Sequence, residues 1–512
     1  MLLTFVIVYW LISIAIGLYA AMRVKNTTDY AVAGRALPFH VVTATVFATW
    51  FGSETVLGIP ATFLQEGLGG VVADPFGSSL CLILVGLFFA KPLYKLNLLT
   101  IGDYYRLRFG RTVELLTTVA IVISYLGWVA AQIKALGLVF FVLSNGALSQ
   151  ELGMVLGAAS VLVYTLFGGM WSVAITDFIQ MIVIVIGLLY IGWDIGGAAG
   201  GVGEVIQHAQ AAGKFGFLPE FRLDAIVLFI GTLITMMLGS IPQQDVFQHV
   251  QSSKSANIAM WGSVLGGSLY FLFAFIPMFL AYCATLIAPD LVARYLDTDP
   301  QLILPMLVLS EQVPLIAQIM FFGALLSAIK SCASATLLAP SVTFSENLLR
   351  PILKAWNPDL SDKQFLRCMQ GVVLVFTAVV TYIAMNTELS IYGLVENAYK
   401  VTLVMAFVPL ALGVYWKKST TQGAVVSMLL GVAVWLTLEL ITAGDNAPAW
   451  TEFWLPHFVG FLVSLSSFIL FSLLPQFVRT PPIPTPESVA EGNRPHHHQH
   501  AHAASHTHHT AP

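Results

Sequence analysis

Thirteen stretches of about 20 apolar residues recur along this chain, and its charges gather between them. A helix needs about 20 such residues to cross bilayer hydrocarbon. Only helices and closed barrels satisfy all their backbone groups there. The segments are 3–22, 39–62, 71–90, 113–143, 150–168, 171–193, 224–242, 257–287, 313–349, 367–386, 390–414, 420–442 and 456–474. Charged residues make up 10% of the 512, against about 25% in ordinary soluble domains. Mean hydropathy is +0.82. The chain therefore reads as an all-α polytopic membrane protein, with the lipid bilayer as its first partner. Between the fifth and sixth segments only Phe167–Met170 intervene, and two glycines supply that turn. Cys81, Cys283, Cys332 and Cys368 fall in or beside apolar segments, which argues against a disulfide framework.

Where the basic residues lie orients the chain. One alternating set of loops holds Arg23, Lys25 and Arg35, then Lys91, Lys95, Arg106, Arg108 and Arg111, then Lys254, and later Arg350, Lys354, Lys363, Arg367, Lys417 and Lys418. The opposite set holds only Lys214, Arg222 and Arg294. Positive charge is retained on the cytoplasmic side. This predicts an odd number of spans in a cell membrane, with the N-terminus outside and the C-terminus cytoplasmic. Residues 477–512 read as a disordered, Pro- and His-rich cytoplasmic tail. Its tract His496, His497, His498, His500, His502, His506, His508 and His509 is expected to be solvated and to bind metal ions weakly.

Two segments carry chemistry. Val313–Arg350 is apolar enough to span, yet it holds Ser327, Ala328, Ser331, Cys332, Ala333, Ser334, Ala335 and Thr336 around Lys330. Small residues and hydroxyls let helices approach inside a bundle. A lysine at bilayer depth needs a partner or a wet cavity. This helix reads as the inner wall of a site, against the simpler reading of a tightly packed structural helix. The second segment, Phe39–Phe63, gathers Gly52, Ser53, Gly58 and Pro60 around Glu54. Proline removes a backbone bond and glycine weakens a helix. A broken helix survives in lipid only where it lines a cavity or is buried. Secondary transporters place solute and ions at such breaks. A plain proline kink is the bland alternative, and Glu54 in the same stretch argues against it.

Together these stretches resemble the sodium:solute symporter family. The likeness lies in ATW at Ala48–Trp50, GIP at Gly58–Pro60, GLFFAKP at Gly86–Pro92, YTLFGGMWSVAITDFIQ at Tyr164–Gln180 and MLGSIPQQDVFQHVQSSKSA at Met237–Ala256. The high-affinity choline transporter branch is the most similar in look. The resemblance implies a LeuT-like fold of two inverted five-helix repeats, here 39–193 and 224–414. An extra helix with its loop precedes them (1–38), an outer loop at 194–223 joins them, and two helices follow (415–476).

The resemblance also implies a sodium site from the carbonyls of Ala48, Phe51 and Ala328 and the side chains of Ser331 and Cys332. Cys332 departs from the usual hydroxyl, and thiols are poor ligands for hard cations. Lys330 departs as well. Asp177 matches a family aspartate associated with the ion's route to the cytoplasm or with a second ion. Lys330 is given two readings. It pairs with Glu54, replaces sodium and leaves transport sodium-independent or proton-coupled; or it points toward Asp74 or Glu396 and sodium is kept. The resemblance favours sodium.

Trp50, Phe51, Glu54, Trp128, Gln132, Lys134, Tyr392 and Glu396 are the candidate solute residues, with Lys400 on the face of Tyr392 and Glu396. Aromatic rings with a carboxylate suit a quaternary ammonium such as choline or betaine. The lysines would instead suit a carboxylate or amino acid. No nucleotide loop, metal-ligand spacing or hydrolase elbow is present, so the chain reads as no enzyme. It needs no organic cofactor and no nucleic-acid partner. A transporter-like solute sensor is the rival class; a channel is less favoured, since it would need no broken helix with a carboxylate.

Overall fold

The computed structural model describes residues 1–492, and the histidine tract lies outside the described residues. The chain is helical throughout its apolar segments. In order these are α1 Leu2–Ala21, α2 Phe39–Trp50, α3 Ile59–Glu66, α4 Val72–Tyr94, α5 Ile101–Phe109, α6 Arg111–Leu143, α7 Gln150–Ala198, α8 Leu223–Met237 and α9 Gln244–Ser252. They continue with α10 Ala256–Ile287, α11 Leu315–Trp356, α12 Asp362–Asn386, α13 Ile391–Met405, α14 Phe407–Tyr415, α15 Thr421–Thr442, α16 Pro456–Leu473 and α17 Pro486–Gly492. Among the described residues, nine helices are long and apolar enough to cross a membrane, and the bent pair α13 and α14 makes a tenth. The remaining expected spans fall on the two halves of α7 and on two interrupted segments.

Helix α7 runs 49 residues but is not straight. Gly169 takes φ 50° and ψ −136°, non-helical values that kink it between its two halves. A Cβ there would lie 2.4 Å from the Tyr30 carbonyl oxygen, so both the dihedral and the space require glycine. The turn between the fifth and sixth apolar segments is thus a single strained residue rather than a loop.

The first interruption lies elsewhere than proline chemistry suggests. Helix α2 ends at Trp50, and Phe51 (φ −84°, ψ 79°) turns the backbone out of the helix. A π-turn over Glu54–Gly58 follows, and Pro60 sits at the N-terminus of α3, where its missing N–H costs nothing. The break is therefore at Phe51–Ser53, ahead of Pro60. A second interruption separates α8 from α9 across Leu238–Gln243. The apolar reading ran this region on as one span, 224–242. Its polar continuation is a buried half-helix, in which every residue from Gln244 to Ser252 is buried.

Packing buries both breaks inside the helix bundle. The small face of α10 receives α2: a Cβ on Gly266 would meet Val46 at 2.6 Å. In lipid, association rests on such close approach and on buried hydrogen bonds, since apolar surface gains little by leaving acyl chains. Helix α11 packs on α7, α6 and α2, and α1 packs on α7 and α11. At the face rich in basic residues, Asn347 donates to Asp103 (3.0 Å) and Glu114 (2.8 Å). Arg106 and Arg111 complete the charge balance of the fully buried Glu114. This network fixes α5, capped by Thr100, beneath α11. The segment expected to be a disordered tail includes α17, where Val489 is buried.

Candidate functional site

The break in α2 frees the Ala48 carbonyl. In a regular helix the Gly52 N–H would bond Ala48; here it turns back to Trp50 at 3.1 Å. The Ala48 oxygen instead accepts from Ser331 Oγ at 2.6 Å. Ser331 Oγ also lies 3.0 Å from the carbonyl of Ala328. Ala48, Ala328, Ser331 and Cys332 thus converge where α2 meets α11, all fully buried. Cys332 packs on Gly52, whose added Cβ would sit 2.8 Å from the thiol sulfur. Glu54 Oε2 borders the same spot, 2.8 Å from that added Cβ.

Glu54 and Gln132 continue the wall of the break. Gln132 Nε2 donates to Glu54 Oε2 at 2.7 Å, and its Oε1 accepts from the Ser53 N–H at 2.9 Å. One amide therefore satisfies both a buried carboxylate and the freed start of the second half-helix. Phe51 packs among Phe47 and Tyr270. Asp74 is bonded by Ser78 and Tyr270, each at 2.5 Å.

Rings fill the centre. Trp50 and Trp128 lie 5.7 Å apart edge to face, Trp128 and Tyr399 are 5.5 Å apart, and Trp50 stacks on Tyr399 at 6.4 Å. Tyr125 stacks under Trp128 at 5.8 Å. Trp50 Nε1 donates to Asp245 Oδ2 at 3.0 Å, and the Tyr125 hydroxyl bonds the other carboxylate oxygen. One turn along α9, His249 meets Thr45 (3.2 Å) and Thr49 (3.1 Å), and both threonines reach Asp177 Oδ2 (2.7 and 3.3 Å). The His249 Nδ1–H must donate, since its partner at 2.5 Å is the Asp245 carbonyl. Asp177 Oδ1 and both polar atoms of Gln180 are buried without partners.

The structure thus brings Trp50, Phe51, Glu54, Trp128 and Gln132 together beside Ala48, Ala328, Ser331 and Cys332, with Asp177 below. It does not bring the lysines there. Lys330 leaves α11 toward α1: its Nζ lies 3.4 Å from the Trp10 carbonyl, 4.4 Å from the Trp10 ring and 5.2 Å from the Tyr164 ring. None of its expected partners, Glu54, Asp74 or Glu396, pairs with it among the described residues. Two aromatic faces and a carbonyl accommodate the amine there. Lys134 donates to the Leu389 carbonyl at 2.6 Å in an exposed setting. Tyr392 and Glu396 line a cavity of about 650 Å³ with Glu66, on the face opposite the basic one. A cavity of about 490 Å³ at the basic face is lined by Arg35, Arg106 and Arg350.

Asp245, His249, Tyr125, Tyr399, Thr45 and Thr49 escaped the residue-level reading. For Asp245 and His249 the signal was the polar run Gly239–Gln251 inside an apolar frame, which a hydropathy window averages away.

The comparisons with known proteins agree with this architecture. The model of the sodium:solute symporter family matches residues 30–431. The high affinity choline transporter 1 of Homo sapiens is 29% identical over 454 residues, 84% of this chain and 76% of that protein. Its counterpart in Drosophila melanogaster is 27% identical over 450 residues, covering 84% and 70%. The osmoregulated proline transporter OpuE of Bacillus subtilis is 24% identical over 479 residues, covering 90% and 93%. Among solved structures, the outward-open state of a Na+-coupled sialic acid symporter superposes with a TM-score of 0.76 at 19% identity, over 94% of this chain and 98% of that one. A nucleobase-cation-symport-1 family transporter gives 0.55 at 15% identity, over 91% and 96%. These likenesses establish the LeuT-like fold, and the relatives are transporters rather than enzymes. On the match across residues 30–431, this chain belongs to the sodium:solute symporter family.

Proposed function

We propose that the protein is a sodium-coupled symporter that imports a small organic ammonium solute, choline- or betaine-like, by alternating access. The observation that carries this reading is the freed Ala48 carbonyl facing Ser331 across the break. With Phe51 and Ala328 it supplies hard oxygens of the kind a sodium ion accepts as a co-substrate. Cys332 adds no oxygen, so the ion rests on the other four. The Trp50, Trp128 and Tyr399 faces lie beside that point, with a carboxylate at hand and no lysine among them. That favours an ammonium over a carboxylate solute. The rings touch each other in this conformation, so the solute enters by parting them. The basic face is taken as cytoplasmic, with the two repeats at 39–193 and 224–414 rocking about the break. Asp177, which shares Thr45 and Thr49 with His249, is taken as part of the ion's way to that face.

The test is choline uptake into proteoliposomes under a sodium gradient or a proton gradient alone. The sodium gradient is expected to drive accumulation and the proton gradient none. Lys330→Met is expected to keep the parent's sodium dependence, because the amine faces Trp10. Uptake indifferent to sodium at fixed pH ends the reading. Binding of solute without flux favours the sensor instead.

A further inference from the structure

We infer that Asp245 is the specificity-determining counter-charge of the solute site, selecting cationic over zwitterionic ammonium compounds. The inference rests on the ammonium reading above and names which members of that class are accepted.

Asp245 is the second residue of α9, just past the Leu238–Gln243 interruption, and is 1% exposed. A carboxylate at bilayer depth is expected to face a cation or a wet cavity. This one faces only neutral groups: the Trp50 indole and the Tyr125 hydroxyl, which also accepts from the Asp245 N–H. Among the described residues no Lys, Arg or His forms an ion pair with it. The two donors hold its geometry but leave its charge uncancelled. Glu54 is likewise without a cation but is held by the Gln132 amide at the helix break, whereas Asp245 accepts directly from the Trp50 indole. Asp74 differs too, being walled by Ser78 and Tyr270 away from the rings.

A second observation points to a ligand at the same place. Trp128 Nε1 and the Tyr399 hydroxyl are both buried, at 1% exposure, and neither has a hydrogen-bond partner. Their rings are 5.5 Å apart and both pack on Trp50, which bonds Asp245. Two orphaned polar tips beside an uncompensated carboxylate describe a site that awaits a polar cation. The rings would take an alkylammonium face on, Asp245 would cancel its charge, and the indole N–H and phenol would reach a hydroxyl. A solute bearing its own carboxylate would place a second negative charge near Asp245. Discrimination of this kind comes from repulsion as much as from attraction.

The test compares sodium-driven uptake of choline and of glycine betaine by proteoliposomes of the parent, Asp245→Asn and Asp245→Glu. The parent is expected to take up choline with the lower KM. Asp245→Asn is expected to raise the choline KM at least about 30-fold, the loss of a desolvated charge pair. Its betaine KM is expected to stay level or fall. Asp245→Glu keeps the charge and is expected to keep the preference for choline. The inference is overturned if the Asn variant changes both KM values in parallel, or leaves choline within twofold. If the Asn variant carries neither solute, the Glu variant decides: retained choline preference supports the inference, and equal KM values for the two solutes overturn it. A parent that transports neither compound refutes the ammonium reading itself, a distinct result.

Discussion

Trp50→Ala reduces sodium-driven choline uptake at low concentration by at least about 100-fold. Two losses combine. A desolvated cation–π face is worth about 2 kcal/mol. The indole N–H is one of the two side-chain donors to Asp245, and leaving a buried acceptor unpaired costs about 1–3 kcal/mol. At about 1.4 kcal/mol per factor of ten, the sum exceeds 100-fold. Trp50 also stacks on Tyr399 and meets Trp128 edge to face, so its removal lets both neighbours relax. Trp50→Phe keeps a face and loses the donor, and an intermediate loss is expected. Initial-rate uptake over a range of choline concentrations measures all three. Equal kinetics in the parent and the alanine variant would remove the rings from the site.

Gly52→Val weakens sodium dependence at least about tenfold while sparing the fold. A Cβ at this position comes within 2.8 Å of the Cys332 sulfur and of Glu54 Oε2. A branched side chain has to push α11 away from the break, and overpacking costs about 1–3 kcal/mol. The same displacement separates Ala48 from Ser331, so sodium affinity falls at least about tenfold. Gly371→Val is the control, because nothing lies within 4 Å of its added Cβ. Sodium titration of uptake in both variants, with thermal unfolding in detergent, separates loss of the ion from loss of the protein. Unaltered sodium dependence in Gly52→Val would show that the ion binds elsewhere.

How much of this was legible in the chain differs by element. The apolar segments declared themselves because lipid imposes one backbone solution, and the glycine pair at Gly168–Gly169 gave the turn in α7. The first break was legible at Gly52 and Ser53, although the backbone departs one residue earlier at Phe51, which has no breaker character. Gly58 and Pro60, grouped with them, are not part of it. Pro60 opens the next helix instead. The second break was lost because Leu238–Gln243 carries a Gly and a Pro within a run already counted as apolar.

Among the site residues, Trp50, Trp128, Glu54 and Gln132 gathered as their helices suggested. The lysines did not join them. Which side of α11 Lys330 presents depends on where α1 packs, and no spacing along one chain reveals that neighbour. Asp245 shows the converse: its importance comes from Trp50 and Tyr125, each more than 100 residues away in sequence.

The claim beneath all of this is that ion and solute share one place, where α2 breaks against α11. Reciprocal linkage tests it most directly, since each ligand must then strengthen the other by the same factor. Calorimetric titration of the purified protein with choline, first in sodium chloride and then in potassium chloride at equal ionic strength, gives that factor. Binding at least about tenfold tighter in sodium is the expected result. Equal affinity in the two salts would contradict the shared site.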